Sequence, residues 1–371
     1  MLRILHIVQG MNRGGIETLL MSLYRKLDRT RVQFDFLVHT DSEGAYDKEI
    51  KELGGKIYNI SPRSKGIVKN RKELISFFKE HTEYKIIHQH VSSLTYIQPI
   101  KIAKENNVPV RIIHGHNTKQ GGHKIHEIIH RVNKTAIKKY ATHYFACSED
   151  AARWMYGPHK LFQIDYAILN NAIDSKEFTF DMKLRDAIRE ELNLTDKFVV
   201  GHVGRFALQK NHEFLVDVFA EIRKNEKQAV LLLVGDGELK EDIINKINSK
   251  GLTDSVVLTG VRSDVPALMN AMDVFVFPSL HEGLGIVAIE AQSTGLKCFV
   301  STEVPEEVMI TDNIQRISLD KKSFEWAQEI LKIKNGYHRE SEIDKVLSSG
   351  YDIYEVTNRL QKLYLDLSRS C

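Results

Sequence analysis

The chain has 371 residues, 42% hydrophobic and 27% charged, with a formal net charge of +3 at pH 7. That length fits about two domains, and the composition is that of a globular chain with a sizeable core, not of a disordered or fibrous one. The charge balance is too mild for nucleic-acid binding but leaves room for a local basic patch facing anionic partners. Three scattered cysteines, Cys147, Cys298 and Cys371, form no CxxC pair and read as free thiols of a reducing compartment. No apolar run approaches the roughly 20 residues of a membrane span. The opening residues run straight into a strand pattern without signal-peptide character. A cytoplasmic protein is expected, able to rest on the inner face of a plasma membrane.

Residues 2–8 (LRILHIV) form a short apolar run of the buried-strand kind, followed by a glycine loop at 10–15 and a helical pattern over 16–26. A second strand is predicted at 32–38. This strand, glycine loop, helix, strand series is the first unit of a doubly wound sheet. The alternation continues with a helix at 46–53, a strand at 56–60, a helix near 71–80 and a strand at 84–90. A helix near 94–105, a strand at 108–114 and apolar runs at 142–147 and 164–169 complete the first half. Periodicity fails over 170–183, where the linker is placed. The pattern restarts with strands at 197–203, 229–235, 255–259, 273–278 and 297–301, with helices between them at 211–224, 238–248, 265–272 and 286–294. An amphipathic helix is predicted from about 354 to 367.

The most informative segment is 277–291, FPSLHEGLGIVAIEA. A strand gives way to a loop and a helix starts near Gly285. Backbone N–H groups at that start, with Gly283 and Gly285 allowing close approach, suit a diphosphate. Glu282 and Glu290 would lie on the order of 10–12 Å apart if most of the interval is helical. A glycosidase pair stands about 5–9.5 Å apart across one bond, so this wider spacing suits two ends of an elongated ligand. A second loop, 201–211 (GHVGRFALQKN), carries Arg205 and Lys210, two cations able to converge on a diphosphate as charge builds there.

The order of Gly14-Gly15-Ile16-Glu17, then Gly204-Arg205 with Lys210, then Val234-Gly235-Asp236-Gly237, then Glu282-Gly283-Leu284-Gly285 with Glu290 resembles the retaining GT-B glycosyltransferases. The resemblance is closest to the large bacterial family four, the glycosyl transferases group 1, of polysaccharide assembly. It covers nearly the whole chain. It implies an α/β protein of two Rossmann-like domains facing across a cleft. Residues 1–170 with the helix at 354–371 would bind the acceptor, and 171–353 the nucleotide-sugar donor. The terminal helix would cross back onto the first lobe. It further implies that Arg205 and Lys210 hold the donor diphosphate and Glu290 the ribose. Glu282 and the amides of Gly283, Leu284, Gly285 and Ile286 would hold the sugar and phosphates, Val261 and Arg262 the base, and Gly14 and Gly15 would close on the donor. No cofactor or metal is implied; the donor is a substrate. UDP-sugars are favoured over GDP-sugars, and the acceptor is a glycan or lipid-linked glycan of cell-surface polysaccharide.

Sixteen histidines are present. By resemblance His116, or His114 with a register slip, stands near the transferred sugar. His88 with His90, and His114 with His116, share strand faces at i, i+2; no third ligand of suitable spacing accompanies them, so no metal is expected. His123, His126 and His130 share a helix face and read as polar surface. A basic and apolar band (Arg63, Lys65, Lys69, Arg71 and Lys72; Lys124, Arg131, Lys134, Lys138 and Lys139) suits either anionic headgroups or plain solvation. An epimerase of the same two-lobe plan and a non-catalytic nucleotide-binding partner are the alternatives. A dinucleotide dehydrogenase is disfavoured because 10–15 lacks G-x-G-x-x-G and no acidic residue ends the second strand.

Overall fold

The computed structural model describes residues 1–118, 124–157 and 164–369. They fall into two compact units, Met1–Ile173 with Gly350–Cys371, and Asp174–Ser349.

The first unit is built on seven parallel strands: β1 (Leu2–Val8), β2 (Val32–Val38), β3 (Ile57–Asn59), β4 (Ile86–Val91), β5 (Val110–Gly115), β6 (His143–Ala146) and β7 (Tyr166–Ile168). Their order is β3-β2-β1-β4-β5-β6-β7. Helices α1 (Gly15–Lys26), α2 (Asp47–Glu52), α3 (Ile67–Glu80), α4 (Gln98–Glu105), α5 (Lys124–Ala136) and α6 (Glu149–Tyr156) make the crossovers. Every residue of β2 is buried, as expected when helices cover both sheet faces. Its one carboxylate, Asp35, lies mid-strand and is held by Arg3 and Tyr84, not offered at the strand end where a dinucleotide ribose would need it.

The second unit repeats the plan with α7 (Met182–Glu191), β8 (Phe198–Val203), α8 (His212–Asn225), β9 (Ala229–Val234), α9 (Lys240–Ser249), β10 (Val256–Gly260), α10 (Val265–Ala271), β11 (Val274–Phe277), α11 (Ile286–Ser293), β12 (Lys297–Ser301) and β13 (Ile314–Ile317). The sheet order is β10-β9-β8-β11-β12-β13, again all parallel. The expected series ended at 301, whereas β13 extends the sheet by one strand. Its four residues, Ile-Gln-Arg-Ile, are too short and too polar to register as an apolar run. Helices α12 (Ser323–Leu331) and α13 (Ile343–Ser348) follow it.

The last helix, α14 (Ile353–Arg369), packs on α1, β1 and β2 of the first unit. Ile353, Val356, Leu360 and Tyr364 fall on its buried stripe at the spacing of an amphipathic helix. Tyr364 is fully buried, and its hydroxyl lies 2.6 Å from His88 Nδ1. Tyr364→Phe leaves that ring nitrogen without its partner, an expected loss of roughly 1–3 kcal/mol. A urea midpoint shifted down at unchanged slope would show it.

Candidate functional site

In the second unit the strand order reverses between β8 and β11, which are direct neighbours. Ligands of open α/β sheets bind beyond the carboxyl ends of the strands at such a switch point. Both sequence-singled loops leave the sheet there, the Arg205–Lys210 loop from β8 and the Glu282 loop from β11. Gly201 lets these strands meet the chain beneath, since a Cβ there would stand 2.0 Å from Met272 Sδ.

The two loops are tied together. Leu280 N–H donates to the Gln209 carbonyl at 2.8 Å, and Gln209 Nε2 donates to the His281 carbonyl at 2.9 Å. Asn211, in a left-handed conformation at the start of α8, donates from Nδ2 to the Pro278 carbonyl at 3.1 Å. Lys210 Nζ then lies 2.7 Å from Glu282 Oε1, with both side chains largely buried, and 4.6 Å from the Phe277 ring centroid. The structure thus brings Lys210 and Glu282 into one ion pair, the cation also resting on an aromatic face.

A third loop supports this arrangement. Phe206 N–H donates to the Asp236 carbonyl, and Leu239 N–H to the Phe206 carbonyl. A Cβ on Gly235 would stand 2.1 Å from the Gly204 carbonyl oxygen, and one on Gly237 2.5 Å from that of Phe206. The V-G-D-G sequence is therefore the seat of the Arg205 turn. Arg205 itself is exposed and pairs with Glu238 at 3.0 Å. Unlike Lys210, it is held at the surface.

Gly285 takes φ +89°, a left-handed value suited to glycine, at the N-terminus of α11. Helix α11 is buried nearly all round; Ile286 and Glu290, one turn apart, make the face that stays partly open. Only the second half of the Glu282–Glu290 interval is helical. The Glu290 carboxylate has no hydrogen-bond or ion-pair partner among the described residues. Although part of the residue reaches solvent, burial of the carboxyl raises its pKa to about 7, opposed by the charge of Lys210. Gly283 and Leu284, within the Glu282 loop, are buried. Val261 is exposed, while Arg262 pairs with Asp264 at 2.6 Å and Glu191 at 3.3 Å. Asn211, Gln209, Phe277 and Glu238 were not singled out from the sequence. Only the asparagine at a helix start carries a recognisable local signal.

The first unit holds the remaining candidates. Gly14 precedes α1 and Gly15 opens it, the latter exposed with nothing within 4 Å of a built Cβ. His116 follows β5, its backbone N–H donating to the Val91 carbonyl and its Nε2 lying 2.9 Å from His90 Nδ1. His114 is fully buried, so the less buried of the two is His116. The paired histidines, for which local spacing offers no third ligand, gain further histidine neighbours across the sheet. Register sets His6 beside His88 and His90 beside His114, so distant strands supply what local spacing does not. Of the helix-face histidines, His123 lies outside the described residues and His126 is exposed. His130, expected at the surface, is buried against Trp154 and accepts the Leu94 N–H. Lys134 likewise turns inward to the Trp154 carbonyl at 2.6 Å. Cys147 and Cys298 are free and buried; Cys371 lies outside the described residues.

Two Rossmann-like domains, the second with cation and carboxylate loops at its switch point, define the class: this is the architecture of GT-B glycosyltransferases. Anabaena HepE, solved with UDP and glucose, superposes with a TM-score of 0.81 over 98% of this chain and 99% of its own at 18% identity. Residues 185–345 match the glycosyl transferases group 1 model, and 13–177 the glycosyltransferase family 4 model. EpsF of Bacillus subtilis (strain 168), named as a glycosyltransferase, is 33% identical over 98% of this chain and 96% of its own. A UDP-Gal:alpha-D-GlcNAc-diphosphoundecaprenol alpha-1,3-galactosyltransferase of Escherichia coli is 27% identical over 82% of each. The chain belongs to the glycosyl transferases group 1 family and is a transferase enzyme.

Proposed function

We propose that the protein is a retaining transferase that moves a hexose from a UDP-sugar to a glycan or lipid-linked glycan of cell-surface polysaccharide. The observation that carries this reading is the Lys210–Glu282 pair beside the glycine-opened start of α11, with the partnerless Glu290 carboxyl one turn further on. A cation, helix N–H groups and a carboxylate in that order match a sugar diphosphate followed by a ribose. The UDP complexes of HepE and the UDP-Gal named for the E. coli relative support uridine as the base, with Val261 and Arg262 in its vicinity.

In the reaction, the bond from the sugar anomeric carbon to the diphosphate oxygen breaks and a bond to the acceptor oxygen forms on the same face. The acceptor proton passes to the leaving phosphate. Arg205 and Lys210 stabilise the charge that collects on the diphosphate. Glu282 with the amides of Gly283, Leu284, Gly285 and Ile286 orients the sugar and phosphates, and Glu290 accepts from the ribose hydroxyls. Within the first domain, Gly14, Gly15 and His116 are the residues this reading assigns to substrate contact. No metal enters these steps.

Selective stabilisation by UDP over GDP and ADP in a thermal-shift panel without added metal is the expected result. The shift falls in Arg205→Ala, whose exposed side chain can be removed at little structural cost. No shift from any nucleotide, with or without magnesium, would overturn the donor assignment.

For a lipid-linked acceptor, contact with the membrane surface is part of the reading. Helix α5 exposes Ile125, Ile128 and Val132 at 60%, 62% and 61%, with Lys124 and Arg131 along the same helix. Ile67 and Val68, among Arg63, Lys65 and Lys69, are similarly bare. Such a face suits an anionic headgroup layer. Phosphatidylglycerol vesicles are expected to sediment the chain at low salt, and Ile128→Asp with Val132→Asp to leave it in the supernatant. Equal sedimentation of both would exclude this surface.

A further inference from the structure

Five histidines gather on the first-domain sheet: His6 on β1, His88 and His90 on β4, His114 on β5 and His116 just beyond it. Parallel register places His6 beside His88 and His90 beside His114, and the i, i+2 spacing keeps each strand's pair on one face. One ring nitrogen from each of His90, His114 and His116 lies within 4.8 Å of the others. We propose that His90, His114 and His116 form a binding site for one divalent transition-metal ion, with a fourth position left to water.

The geometry is close to what such an ion asks for. Tetrahedral zinc with nitrogen ligands at about 2.0–2.1 Å sets those nitrogens roughly 3.3 Å apart. His90 Nδ1 and His116 Nε2 stand 2.9 Å apart, and His114 Nε2 is buried with no hydrogen-bond partner. These three are the ligating atoms.

The outer nitrogens are already provided for. His90 Nε2 lies 3.0 Å from His6 Nδ1, and His114 Nδ1 lies 3.2 Å from His88 Nε2. His88 Nδ1 in turn meets the Tyr364 hydroxyl at 2.6 Å. One set of neutral tautomers satisfies the chain: His90 Nε2–H donates to His6, His114 Nδ1–H to His88, and His88 Nδ1–H to the tyrosine oxygen. Two of the three ligands thus donate their second N–H to a fixed acceptor, the arrangement that orients metal-bound imidazoles. His6 and His88 are used in that role, which is why the alternative triad of His6, His88 and His90 is not chosen.

His116 keeps part of its surface open, so ion entry and the solvent ligand belong at that end. An all-imidazole set selects zinc, cobalt, nickel or copper over magnesium and calcium.

The test is titration of the tag-free, chelator-stripped full chain with Co2+. Expected are one ion per chain, the visible absorption of a tetrahedral cobalt centre, and its displacement by one equivalent of Zn2+. His116→Ala, at a partly open position, should keep the parent's circular dichroism and lose on the order of 100-fold in affinity. Tyr364→Phe should lose roughly tenfold, as outer-partner changes do, while His338→Ala, at an exposed position of the second unit, changes nothing. Absence of stoichiometric cobalt binding by the parent, or affinity unchanged in His116→Ala, would overturn the proposal. These readouts do not involve transferase activity, so they stand apart from the donor assignment.

Discussion

Replacing Lys210 by alanine is expected to lower turnover by roughly 10²–10³-fold, comparable to deleting one preorganised group aimed at charge developing in a transition state. The ammonium is held by Glu282 at 2.7 Å and by the Phe277 ring, in a loop tied by three hydrogen bonds to the segment that carries Glu282. In the proposed reaction it is therefore in place before the diphosphate charge forms. Binding should suffer less than turnover, because the substrate diphosphate already carries much of its charge and only the increment is new. The same substitution removes the cation beside a carboxylate that is only 5% exposed, at a cost of roughly 3 kcal/mol in stability. Lys210→Met combined with Glu282→Gln separates the two effects. Its melting temperature should return toward that of the parent while turnover stays low. Nucleotide release measured at saturating donor is the readout. A kcat within a few-fold of the parent would show that Lys210 only supports the fold.

Much of the second domain's candidate site was legible because its residues are local. Strand, loop and helix start fall within 277–291, and the spacing from Arg205 to Lys210 within one loop. The strand that failed to announce itself is the short edge strand β13, whose polar middle residues break the apolar run. What no local pattern holds is register. His6 and His88 become neighbours only because β1 and β4 pair, and Tyr364 reaches His88 only because α14 packs on β1 and β2. The same limit explains His130 and Lys134. On a helical wheel they join the polar face, yet the Trp154 ring and carbonyl draw both inward, and the isoleucines of α5 are left facing out. The pairing of Lys210 with Glu282 was also beyond the sequence, which offered the two groups as separate contacts to one ligand.

The opposite sign of effect is expected at Glu290. Its carboxyl titrates near 7 in the folded chain against a reference of 4.5, because burial disfavours the ionised form more than Lys210 favours it. A raised carboxyl pKa means that the native state holds its proton more tightly than the unfolded chain does. Below pH 4.5 the group is neutral in both states and contributes nothing. Between 4.5 and 7 the unfolded chain ionises first and native stability falls; above 7 the deficit is constant, at most about 3 kcal/mol. Glu290→Gln should therefore be more stable than the parent at pH 8 and indistinguishable near pH 4.5, by urea unfolding at each pH. Donor binding should move the other way. In the proposed donor site ribose hydroxyls donate to the ionised carboxylate, so affinity for a UDP-sugar should rise with pH up to about 7, by as much as tenfold per unit, and then level off. A sugar conjugate is the right probe, since the terminal phosphate of free UDP titrates near pH 6 itself. The variant should bind more weakly at pH 8 and lose the slope. A glutamine variant with the parent's slope, or one less stable than the parent at pH 8, would place the ribose elsewhere than on this carboxylate.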